Sequence, residues 1–499
     1  MSFKALINKL LPVHSKRRLF AKLIFTFLSH PLGFISKFTF KSIFSFFYVL
    51  NTEGISGVSR RINYRIYNNR KFKYLEKTNN KITDYEPVVF KKEDKPVVSI
   101  IIPVYNQFNF TYNCLKSIFD NSGVKTSYEI IIADDCSNDL TINIKNIISN
   151  IKVITTPANT GFLRNCNNAT KYSDGKYILF LNNDTQVQKN WLTPLIELIE
   201  RDNTIGAVGS KIIFPNGLLL EAVGMVWNDG SAWNYGRFGD PSLPEYNYVK
   251  EVDYLSGAAL MVRKSIWEKL GGFDELFVPA YYEDPDLCFS IRKMGYKVMY
   301  QPKSVVAHYE GISNGNNPSQ GLKQYQVVNQ RKFHEKWKDI LEQEHFPNGK
   351  NVFLARDRSR NKKTILMIDD LIPDFDKDEY SKKVFHILSL FASHDYNVKF
   401  IGDNFCEREP YANILEQTGI EVLYGDYYAR NWKTWLRING RYIDFVFLNS
   451  PYVSKKYINK IKKYIKNCKT FSNFMENHDR IKEIINNDLI ISYGIELNK

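Results

Sequence analysis

The fold is decided by the stretch Lys176-Tyr-Ile-Leu-Phe-Leu-Asn-Asn-Asp-Thr185. Its apolar residues, Tyr177 to Leu181, are followed at once by two asparagines and Asp184. A short apolar run that stops at polar residues is typical of a buried strand in a parallel sheet. Ligands bind outside the carboxyl ends of such strands, so Asp184 is predicted at the mouth of a crevice, where a carboxylate suits a hard divalent cation. The alternative is an Asp that caps a helix starting near Trp191.

Length and composition indicate a large globular protein. A chain of 499 residues exceeds one ordinary domain, so we expect two or three domains. The 44% of hydrophobic residues can form large cores, which excludes a disordered chain. The six cysteines form no Cys-x-x-Cys pair, which indicates a reducing compartment and no structural zinc. We expect no cleavable signal peptide, because no small-residue cleavage site follows the first apolar run.

The positive charge is concentrated at the N-terminus. Residues 1–73 contain eight lysines and six arginines against a single acid, Glu53, so this segment carries most of the net charge of +15. No nucleic-acid-binding core is needed to explain that charge, and no nucleic-acid partner is expected. Basic and aromatic residues over 1–75 favour helices lying on an anionic membrane surface. The alternative is an amphipathic helical segment packed on the catalytic domain.

The chain beyond this segment is predicted to form two α/β domains. Residues 76–96 are polar and indicate a linker, after which strands and helices alternate over 97–344, as in βαβ units with a parallel sheet. The predicted strands are Val97–Pro103, Tyr128–Ala133, Lys152–Thr155, Tyr177–Leu181, Asp253–Val262 and Lys297–Tyr300. The predicted helices are Asn113–Asp120, Leu163–Tyr172, Asp284–Met294 and Leu322–Leu341. Right-handed crossovers bring the carboxyl ends of the parallel strands to one edge.

A second, smaller Rossmann-like domain is predicted over 364–499. It follows a linker over 345–363 that contains Pro347, Gly349 and six basic residues. No glycine lies between its first strand and first helix, so the phosphate-binding turn of a dinucleotide fold is missing. Its predicted elements are the helix Tyr380–Ser393 and the strands Ile365–Ile368, Val398–Ile401, Glu421–Tyr424, Asp444–Leu448 and Leu489–Ser492.

Four polar clusters fall at the predicted strand ends, in order and within about ninety residues, and together they form a strong pattern. The clusters are Pro103-Val-Tyr105-Asn106, Asp134-Asp135-Cys-Ser137, Asn159-Thr-Gly161-Phe162 and Asn182-Asn183-Asp184. This set resembles the nucleotide-sugar half of family 2 glycosyltransferases. The resemblance implies a GT-A fold, a nucleoside-diphosphate-sugar donor and Mg²⁺ or Mn²⁺. It leaves open whether the base belongs to UDP, GDP or dTDP.

The resemblance also implies roles for these residues at the donor. Tyr105 offers an aromatic face to the base, Asp134 accepts from a base N–H, and Gly161 lets the backbone approach the ligand. Asp184 holds the cation that bridges the two phosphates. The family's metal motif is usually Asp-x-Asp, whereas its first position here is an asparagine. His308 is a second candidate ligand, with a structural role as the alternative. The implied donor-binding residues are Pro103, Tyr105, Asn106, Asp134, Asp135, Asn159, Gly161, Asn182 and Asn183.

The acceptor half is indicated by Tyr281-Tyr-Glu-Asp-Pro-Asp-Leu287 at a predicted helix start. Acids in a first helical turn partly reflect the helix dipole. Inverting transfer also needs a base that takes the acceptor hydroxyl proton. By resemblance Asp284 is that base, Glu283 lies near the acceptor, and Asp286 caps or orients. The remaining acceptor candidates are Ser256, Gly257, Trp227 and Trp233, with core packing as the alternative for the two tryptophans.

The resemblance runs from about Val97 to Leu341. The stretches Lys211–Gly217, Trp233–Gly236 and Val252–Gly257 are similar to a rhamnosyltransferase-like subset that extends bacterial surface polysaccharides such as O-antigen. Residues 364–499 resemble the N-terminal half of a GT-B glycosyltransferase and suggest an acceptor-side or docking domain.

These features predict a metal-dependent inverting hexosyl or deoxyhexosyl transferase with a lipid-linked or polysaccharide acceptor. It would be cytoplasmic and peripheral at the inner face of the plasma membrane, with other glycan-assembly enzymes as partners. One alternative is a non-catalytic sugar-nucleotide-binding scaffold. A sugar nucleotidyltransferase is disfavoured because Pro103-Val-Tyr-Asn-Gln107 stands where a Gly-rich, basic loop is needed.

Overall fold

The computed structural model describes residues 85–122, 126–309 and 324–472, and the predicted N-terminal helical segment, 1–75, lies outside these ranges. The chain divides into two compact units. Within the described residues, unit 1 comprises 85–242 and 250–358, and unit 2 comprises 243–249 and 359–472. None of the helices in these ranges is both long and apolar enough to cross a membrane.

In its described residues, unit 1 mixes fourteen strands with seven α-helices. The strands are β1 (Val88–Val89), β2 (Val98–Val104), β3 (Tyr128–Asp134), β4 (Ile148–Ser149), β5 (Lys152–Thr155), β6 (Tyr177–Leu181), β7 (Thr185–Val187), β8 (Ile205–Ile213), β9 (Leu219–Glu221), β10 (Val223–Val226), β11 (Ala232–Tyr235), β12 (Lys250–Glu251), β13 (Ala259–Arg263) and β14 (Lys297–His308). The helices are α1 (Phe108–Asn121), α2 (Phe162–Ala169), α3 (Thr193–Arg201), α4 (Lys264–Leu270), α5 (Glu283–Lys293), α6 (Tyr325–Glu344) and α7 (Val352–Ala355).

A ten-stranded sheet is the centre of unit 1. Its main path is β12-β14-β8-β13-β6-β2-β3-β5, with β7 paired to β14 and β9 to β8. Strands β6, β2, β3 and β5 run parallel. The apolar residues of β6 and β2, in the middle of the path, are buried, whereas those of the edge strand β5 are half-buried. Val104 is paired with Asp134, and Asp134 with Thr155. The carboxyl ends of these strands therefore share one edge, as predicted.

One predicted strand of unit 1 is wrong. Asp253–Val262 was expected to be a continuous strand, but β13 begins only at Ala259. Before it the chain makes a turn in which the Ala259 N–H donates to the Ser256 carbonyl at 3.1 Å. The Ser256-Gly257 pair inside the apolar run is the local cause. Strands β8 to β11 were not predicted.

The predicted linkers prove to be packed where the structure describes them. In the first, β1 pairs with β4 and Phe90 is buried. In the second, Arg358 donates to Asp253 and, at 3.0 Å, to Glu344, within unit 1. The basic residues were part of the pattern that indicated a linker, but the guanidinium group of an arginine also suits a buried, multiply bonded ion pair.

In its described residues, unit 2 alternates strands and helices. The elements are β15 (Thr364–Asp369), α8 (Glu379–Ser393), β16 (Asn397–Gly402), α9 (Tyr411–Gln417), β17 (Glu421–Val422), α10 (Gly425–Asn439), β18 (Phe445–Leu448), α11 (Pro451–Tyr464) and β19 (Lys469–Ser472). The five strands form a wholly parallel sheet in the order β17-β16-β15-β18-β19. The order reverses between β15 and β18, as in doubly wound sheets. A fifth strand was predicted at Leu489–Ser492, which lies outside the described residues, and β19 was not predicted.

Residues 243–249 belong to unit 2 although they interrupt the chain of unit 1. The Val249 N–H donates to the Glu416 carbonyl at 2.9 Å. Tyr248 is buried, and its hydroxyl lies 3.2 Å from Lys399 Nζ. Lys399 in turn forms a fully buried ion pair with Glu421 at 2.7 Å. This segment is therefore an integral part of the core of unit 2.

Candidate active site

The loops that follow β2 and β3 are tied together by hydrogen bonds. Asn106 adopts a left-handed conformation, with φ of 57°. Its N–H donates to Ser137 Oγ, and its Oδ1 accepts from the Asn138 N–H, both at 2.8 Å. Pro103 is half-buried in β2, while 51% of Tyr105 is exposed. The aromatic face of Tyr105 is thus open to a ligand at the edge of the sheet.

Asp134 and Asp135 are both buried but have different partners. Asp135 accepts four hydrogen bonds, from Thr156 Oγ1, from both the N–H and Oγ1 of Thr160, and from the Gly161 N–H. Asp134 accepts only from the Ser137 N–H and, at 3.3 Å, from Thr155 Oγ1. Asp135 therefore holds the loop before α2, whereas Asp134 retains capacity to accept a bond from a ligand.

The loop held by Asp135 contains the predicted residues Asn159 and Gly161. Asn159 is exposed. Gly161 has a φ of +82°, and a Cβ there would meet the Pro279 carbonyl oxygen at 3.3 Å. Glycine is therefore required at position 161, both by the positive φ of the backbone and by the close approach of the chain at Pro279. That is a different reason from the approach of a ligand.

Asp184 does not cap a helix. The N-cap residue of α3 is Leu192, and no side chain caps that helix. Asp184 lies instead between β6 and β7 and is 7% exposed. Because β7 pairs with the end of β14, His308 lies opposite Thr185, and its Nε2 is 3.1 Å from Asp184 Oδ1. The structure thus pairs the two residues predicted as metal ligands.

The two asparagines before Asp184 face different surroundings. Asn183 is buried, and its Nδ2 donates to Thr111 Oγ1 on α1 at 3.1 Å, which is a packing contact. Asn182 Oδ1 is buried and has no hydrogen-bond partner among the described residues. The Asn182 N–H donates to the Ala258 carbonyl at 3.2 Å, which ties this stretch to the loop before β13.

A divalent cation fits the Asp184–His308 pair as a partial set of ligands. A carboxylate oxygen and an imidazole nitrogen are both donors for such ions, with oxygen donors suiting Mg²⁺ and Mn²⁺. Within the described ranges, no group of three His, Cys, Asp or Glu side chains is placed to hold a metal. A cation here would therefore take its remaining ligands from phosphate oxygens and water. This agrees with the asparagine at position 182, where the Asp-x-Asp motif would supply a further carboxylate.

The start of α5 carries the second set of predicted residues. Asp284 keeps part of its surface open, and its Oδ2 accepts from the Gly257 N–H at 3.0 Å. Desolvation by the surrounding protein raises the pKa of Asp284 to about 6. Burial, with a smaller contribution from the charge of Asp284, raises the pKa of Glu283 to about 8. At neutral pH, therefore, Asp284 is mostly ionised and Glu283 is mostly protonated.

Glu283 is 8% exposed, and its Oε2 has no hydrogen-bond partner in the described part of the chain. A protonated carboxyl group in such a place is able to donate a hydrogen bond to a ligand. The third acid, Asp286, accepts instead from Trp337 Nε1 at 2.7 Å and from Lys336 Nζ. Asp286 thus orients α5 against α6, as the sequence suggested.

Asn329 on α6 fixes the chain that leads into these acids. It is fully buried, and its Nδ2 donates to the carbonyls of Phe277, Ala280 and Tyr281 at 2.8 to 3.0 Å. Tyr281 and Tyr282 both have a φ of 73°, which is costly for bulky residues and needs support from the surrounding structure. Sequence reasoning missed Asn329, although it occupies a buried stripe with Phe333, Trp337 and Leu341 at a spacing of four.

The loop before β13 connects the two halves of the site. Gly257 binds Asp284, whereas the next residue, Ala258, accepts from the Asn182 N–H. A Cβ on Gly257 would lie 3.8 Å from both Asp284 Cβ and Phe162 Cζ. Ser256 Oγ accepts from the Ala258 N–H at 3.3 Å, so its hydroxyl supports the loop. One short loop thus binds Asn182 and the Asp284 carboxylate and lies close to Phe162 at the start of α2.

The stacking interpretation of Trp227 is wrong for this structure, because its side chain is fully buried. It packs edge-on against Trp233 at 5.1 Å between ring centroids. Core packing, the other interpretation, therefore describes Trp227. Trp233 is half-buried, with its ring next to Gly349.

Residues 99–268 match the family model described as Glycosyl transferase family 2. This stretch of the chain is similar to a family 2 glycosyltransferase domain. The matched residues include the donor-side strand ends and the loop before β13. Glu283, Asp284 and His308 lie beyond the matched range, within the same unit.

Known proteins also match parts of the chain. The O-antigen biosynthesis protein RfbC of Myxococcus xanthus is 32% identical over 29% of this chain and 12% of its own length. The putative teichuronic acid biosynthesis glycosyltransferase TuaG of Bacillus subtilis is 31% identical over 26% of this chain and 52% of its own. The chain thus spans about half the length, or less, of these two relatives.

Among solved structures, the chain is similar to the crystal structure of GalNAc-T7 with UDP, GalNAc and Mn²⁺. That similarity covers 50% of each chain at 18% identity, with a TM-score of 0.40.

Proposed function

We propose that this protein is an inverting glycosyltransferase that moves a sugar from a nucleoside diphosphate to a hydroxyl group of a lipid-linked or polysaccharide acceptor. The observation that carries the proposal is the loop before β13. Its Gly257 N–H binds the carboxylate of Asp284, and its Ala258 carbonyl binds Asn182, two residues before Asp184. Because Gly257 and Ala258 are adjacent, the loop holds the proposed base close to the diphosphate-binding stretch. This arrangement suits attack by the acceptor hydroxyl on a sugar carbon held between them.

The residues of the donor half bind and orient the nucleotide sugar. Exposed Tyr105 stacks on the base, and Asp134, which has acceptor capacity left, binds a base N–H. Asp184 and His308 would hold Mg²⁺ or Mn²⁺, and such a cation, when bound, neutralises charge on the leaving diphosphate. Asp135 keeps the loop before α2 in place around this half.

The residues of the acceptor half handle the proton. Asp284 is mostly ionised at neutral pH. It accepts the proton of the acceptor hydroxyl as the hydroxyl oxygen attacks the sugar. The Gly257 N–H fixes the direction of the Asp284 carboxylate. Glu283, mostly protonated, donates a hydrogen bond to another oxygen of the acceptor.

The biological setting is also part of the proposal. The two relatives are named for O-antigen and teichuronic acid biosynthesis, which favours surface-polysaccharide synthesis for this chain. A rhamnosyl donor follows from the sequence resemblance alone. The basic residues of 1–75 favour a cytoplasmic protein bound at the inner face of the plasma membrane, where lipid-linked acceptors and other glycan-assembly enzymes are found.

The test is a two-stage assay on the purified full chain. UDP-, GDP- and dTDP-sugars are screened with Mn²⁺ by thermal shift, since a ligand that binds the folded state raises its stability. The donor that binds is then mixed with candidate acceptors, and the anomeric configuration of the product is read by NMR. A product of inverted configuration supports the proposal. Retained configuration refutes the inverting mechanism, and donor binding with neither transfer nor hydrolysis favours a non-catalytic scaffold.

A further inference from the structure

The topology of unit 2 predicts a second crevice, at the carboxyl ends of β15 and β18. The order of the parallel sheet reverses between these two strands, and ligands of open α/β sheets bind at such points. Asp369 and Asp370 stand at the end of β15, and Asn449 and Ser450 follow β18. None of these residues belongs to the glycosyltransferase domain.

The polar groups of this crevice form a connected cluster. Asp369 accepts from Asn449 Nδ2 at 2.8 Å and from the Tyr380 hydroxyl at 3.2 Å. Asp370 accepts from Ser450 Oγ at 2.9 Å. The Asp403 N–H, from the loop after β16, donates to the Asp369 carbonyl at 2.8 Å. The loops that follow the adjacent strands β16, β15 and β18 are therefore held together around Asp369 and Asp370.

Asn449 leaves one acceptor of this cluster unsatisfied. The residue is 3% exposed, and its Nδ2 donates into the cluster, to Asp369. Its Oδ1 has no hydrogen-bond partner in the ranges that the structure describes. A buried acceptor without a donor destabilises the protein, because it has lost water and gained no partner. The hydroxyl group of a ligand in the crevice would satisfy it.

Exposed apolar side chains surround the same crevice. Four large apolar residues of unit 2 are highly exposed in its described part, and three of them, Leu371, Tyr380 and Tyr452, border this edge. Tyr380 and Tyr452 are each the second residue of a helix, α8 and α11, that begins there. The fourth, Ile438, is near the end of α10 and hence at the opposite edge of the sheet. Exposed tyrosines beside carboxylates offer both stacking faces and hydrogen-bond acceptors.

The chemistry of the crevice selects a neutral, hydroxyl-rich ligand. Its carboxylates disfavour phosphate and other anions, and the chain after β15 lacks the glycine turn that cradles a diphosphate. The described residues also offer no group of three metal-ligating side chains here. Carboxylate and amide oxygens accept from sugar hydroxyls, while tyrosine rings pack on the C–H faces of sugar rings.

We propose that unit 2 binds a neutral carbohydrate chain in the crevice formed by Asp369, Asp370, Asn449, Tyr380 and Tyr452. This site goes beyond the proposed transferase activity and does not depend on it. If unit 1 does transfer sugars, the crevice would hold a growing glycan near the enzyme between transfer events.

The test uses the full chain and a panel of neutral oligosaccharides of four to eight residues, built from rhamnose, glucose, galactose or N-acetylglucosamine. Binding is measured by isothermal titration calorimetry for the wild type, Tyr452→Ala, Tyr380→Ala and the matched control Ile438→Ala. We expect the wild type and Ile438→Ala to bind at least one member equally. Tyr452→Ala and Tyr380→Ala should weaken that binding tenfold or more, with an unchanged melting temperature for the highly exposed Tyr452.

Several outcomes would overturn the proposal. They are the absence of binding to every member at millimolar concentration, equal affinities of Tyr452→Ala and Ile438→Ala, and an equal loss of binding in Asp284→Asn, which would locate the glycan in unit 1. The donor screen is independent of these results, since Tyr452→Ala should bind nucleotide sugar like the wild type. A failure of this site is thus distinguishable from a failure of the proposed transferase.

Discussion

Asp284 Oδ2 accepts a hydrogen bond from the Gly257 backbone N–H at 3.0 Å. The bond directs the carboxylate without neutralising it, because an amide carries no net charge. An ion pair with a lysine or arginine would instead lower the pKa of Asp284 and weaken it as a base. Asp284 thus stays basic, with a pKa of about 6, and fixed in direction. Both properties are those a general base needs.

Replacing Asp284 by Asn should abolish the base and leave the donor site in place. We expect Asp284→Asn to lower kcat by about 100- to 10,000-fold, because a positioned general base contributes that much. Donor affinity, measured by calorimetry, should stay within twofold of the wild type. The control is Asp339→Asn, an exposed acid on α6. Activity of Asp284→Asn within tenfold of the control would contradict the assignment.

The rate should depend on pH through the same residue. A carboxyl group acts as a base only when it is ionised, and the raised pKa of Asp284, about 6, extends its protonated form towards neutral pH. We expect kcat/KM to be constant above about pH 7 and to fall nearly tenfold per unit well below pH 6. Initial rates between pH 4.5 and 8 measure this, with melting temperatures recorded at each pH. A flat profile down to pH 5 in a folded enzyme would exclude Asp284 as the base.

Donor binding should become independent of metal when Asp184 is replaced. Asp184 and His308 are the two residues proposed to hold the cation, and Asp184 Oδ1 lies 3.1 Å from His308 Nε2. We expect Asp184→Ala to bind the nucleotide sugar equally with and without Mn²⁺, whereas Mn²⁺ strengthens binding in the wild type and in Asp339→Asn. His308→Ala should show a smaller loss. Calorimetry with and without Mn²⁺ decides this, and an unchanged Mn²⁺ effect in Asp184→Ala would rule out the site.

The neighbouring acids Asp134 and Asp135 should respond differently to replacement by asparagine. Asp135 accepts four hydrogen bonds and Asp134 two, so Asp135→Asn should lose more stability. We expect Asp135→Asn to lose about 3 kcal/mol or more of the free energy of unfolding. The asparagine side chain carries no charge, and its NH₂ group cannot accept the hydrogen bonds that a carboxylate oxygen accepts. Asp134→Asn should instead reduce donor affinity with a smaller loss of stability. Urea denaturation and donor titration of both variants measure this, and the reverse order of stability would show the assignment to be wrong.

Local sequence patterns predicted the donor edge well. The run Tyr177–Leu181 is β6 as predicted, and Lys152–Thr155 is β5, because short apolar runs flanked by polar residues define their own ends. Parallel pairing then brings Asp134 and the stretch after β6 to one edge. Asp184 was the harder residue, since a cap and a ligand have the same local sequence. The pairing of β7 with β14 places Asp184 beside His308, and no side chain caps α3, so the cap is excluded.

Contacts between distant parts of the chain could not be predicted in this way. The basic residues near 358 indicated a linker because their partners, such as Asp253, are about a hundred positions away. The segment 243–249 joins unit 2 through Glu416 and Lys399, which no local pattern reveals. Whether a charged or polar residue is solvated or buried depends on such partners. The same limit hid the role of Asn329.

Asn329 should act as a positioning residue for the acids of α5. Its amide donates to three carbonyls of the chain that ends in Tyr281 and Tyr282, both in left-handed conformations. In Asn329→Asp the side chain keeps its shape but has one O–H donor when protonated and none when ionised, so at least two of the three carbonyls lose their donor. We expect kcat to fall by about 100-fold, since small displacements of catalytic groups have effects of that size. The affinity for the donor should change less than twofold.

The matched control is Glu335→Gln, an exposed position on the same helix. Both variants are compared by kcat, by donor affinity and by melting temperature, and kcat is measured at least 10 °C below the lower melting temperature. A purely structural role would lower the melting temperature and leave kcat of the folded enzyme near that of Glu335→Gln. Because Asn329 contacts the backbone before α5 and not the donor loops, loss of kcat with intact donor binding is the result that separates positioning from folding.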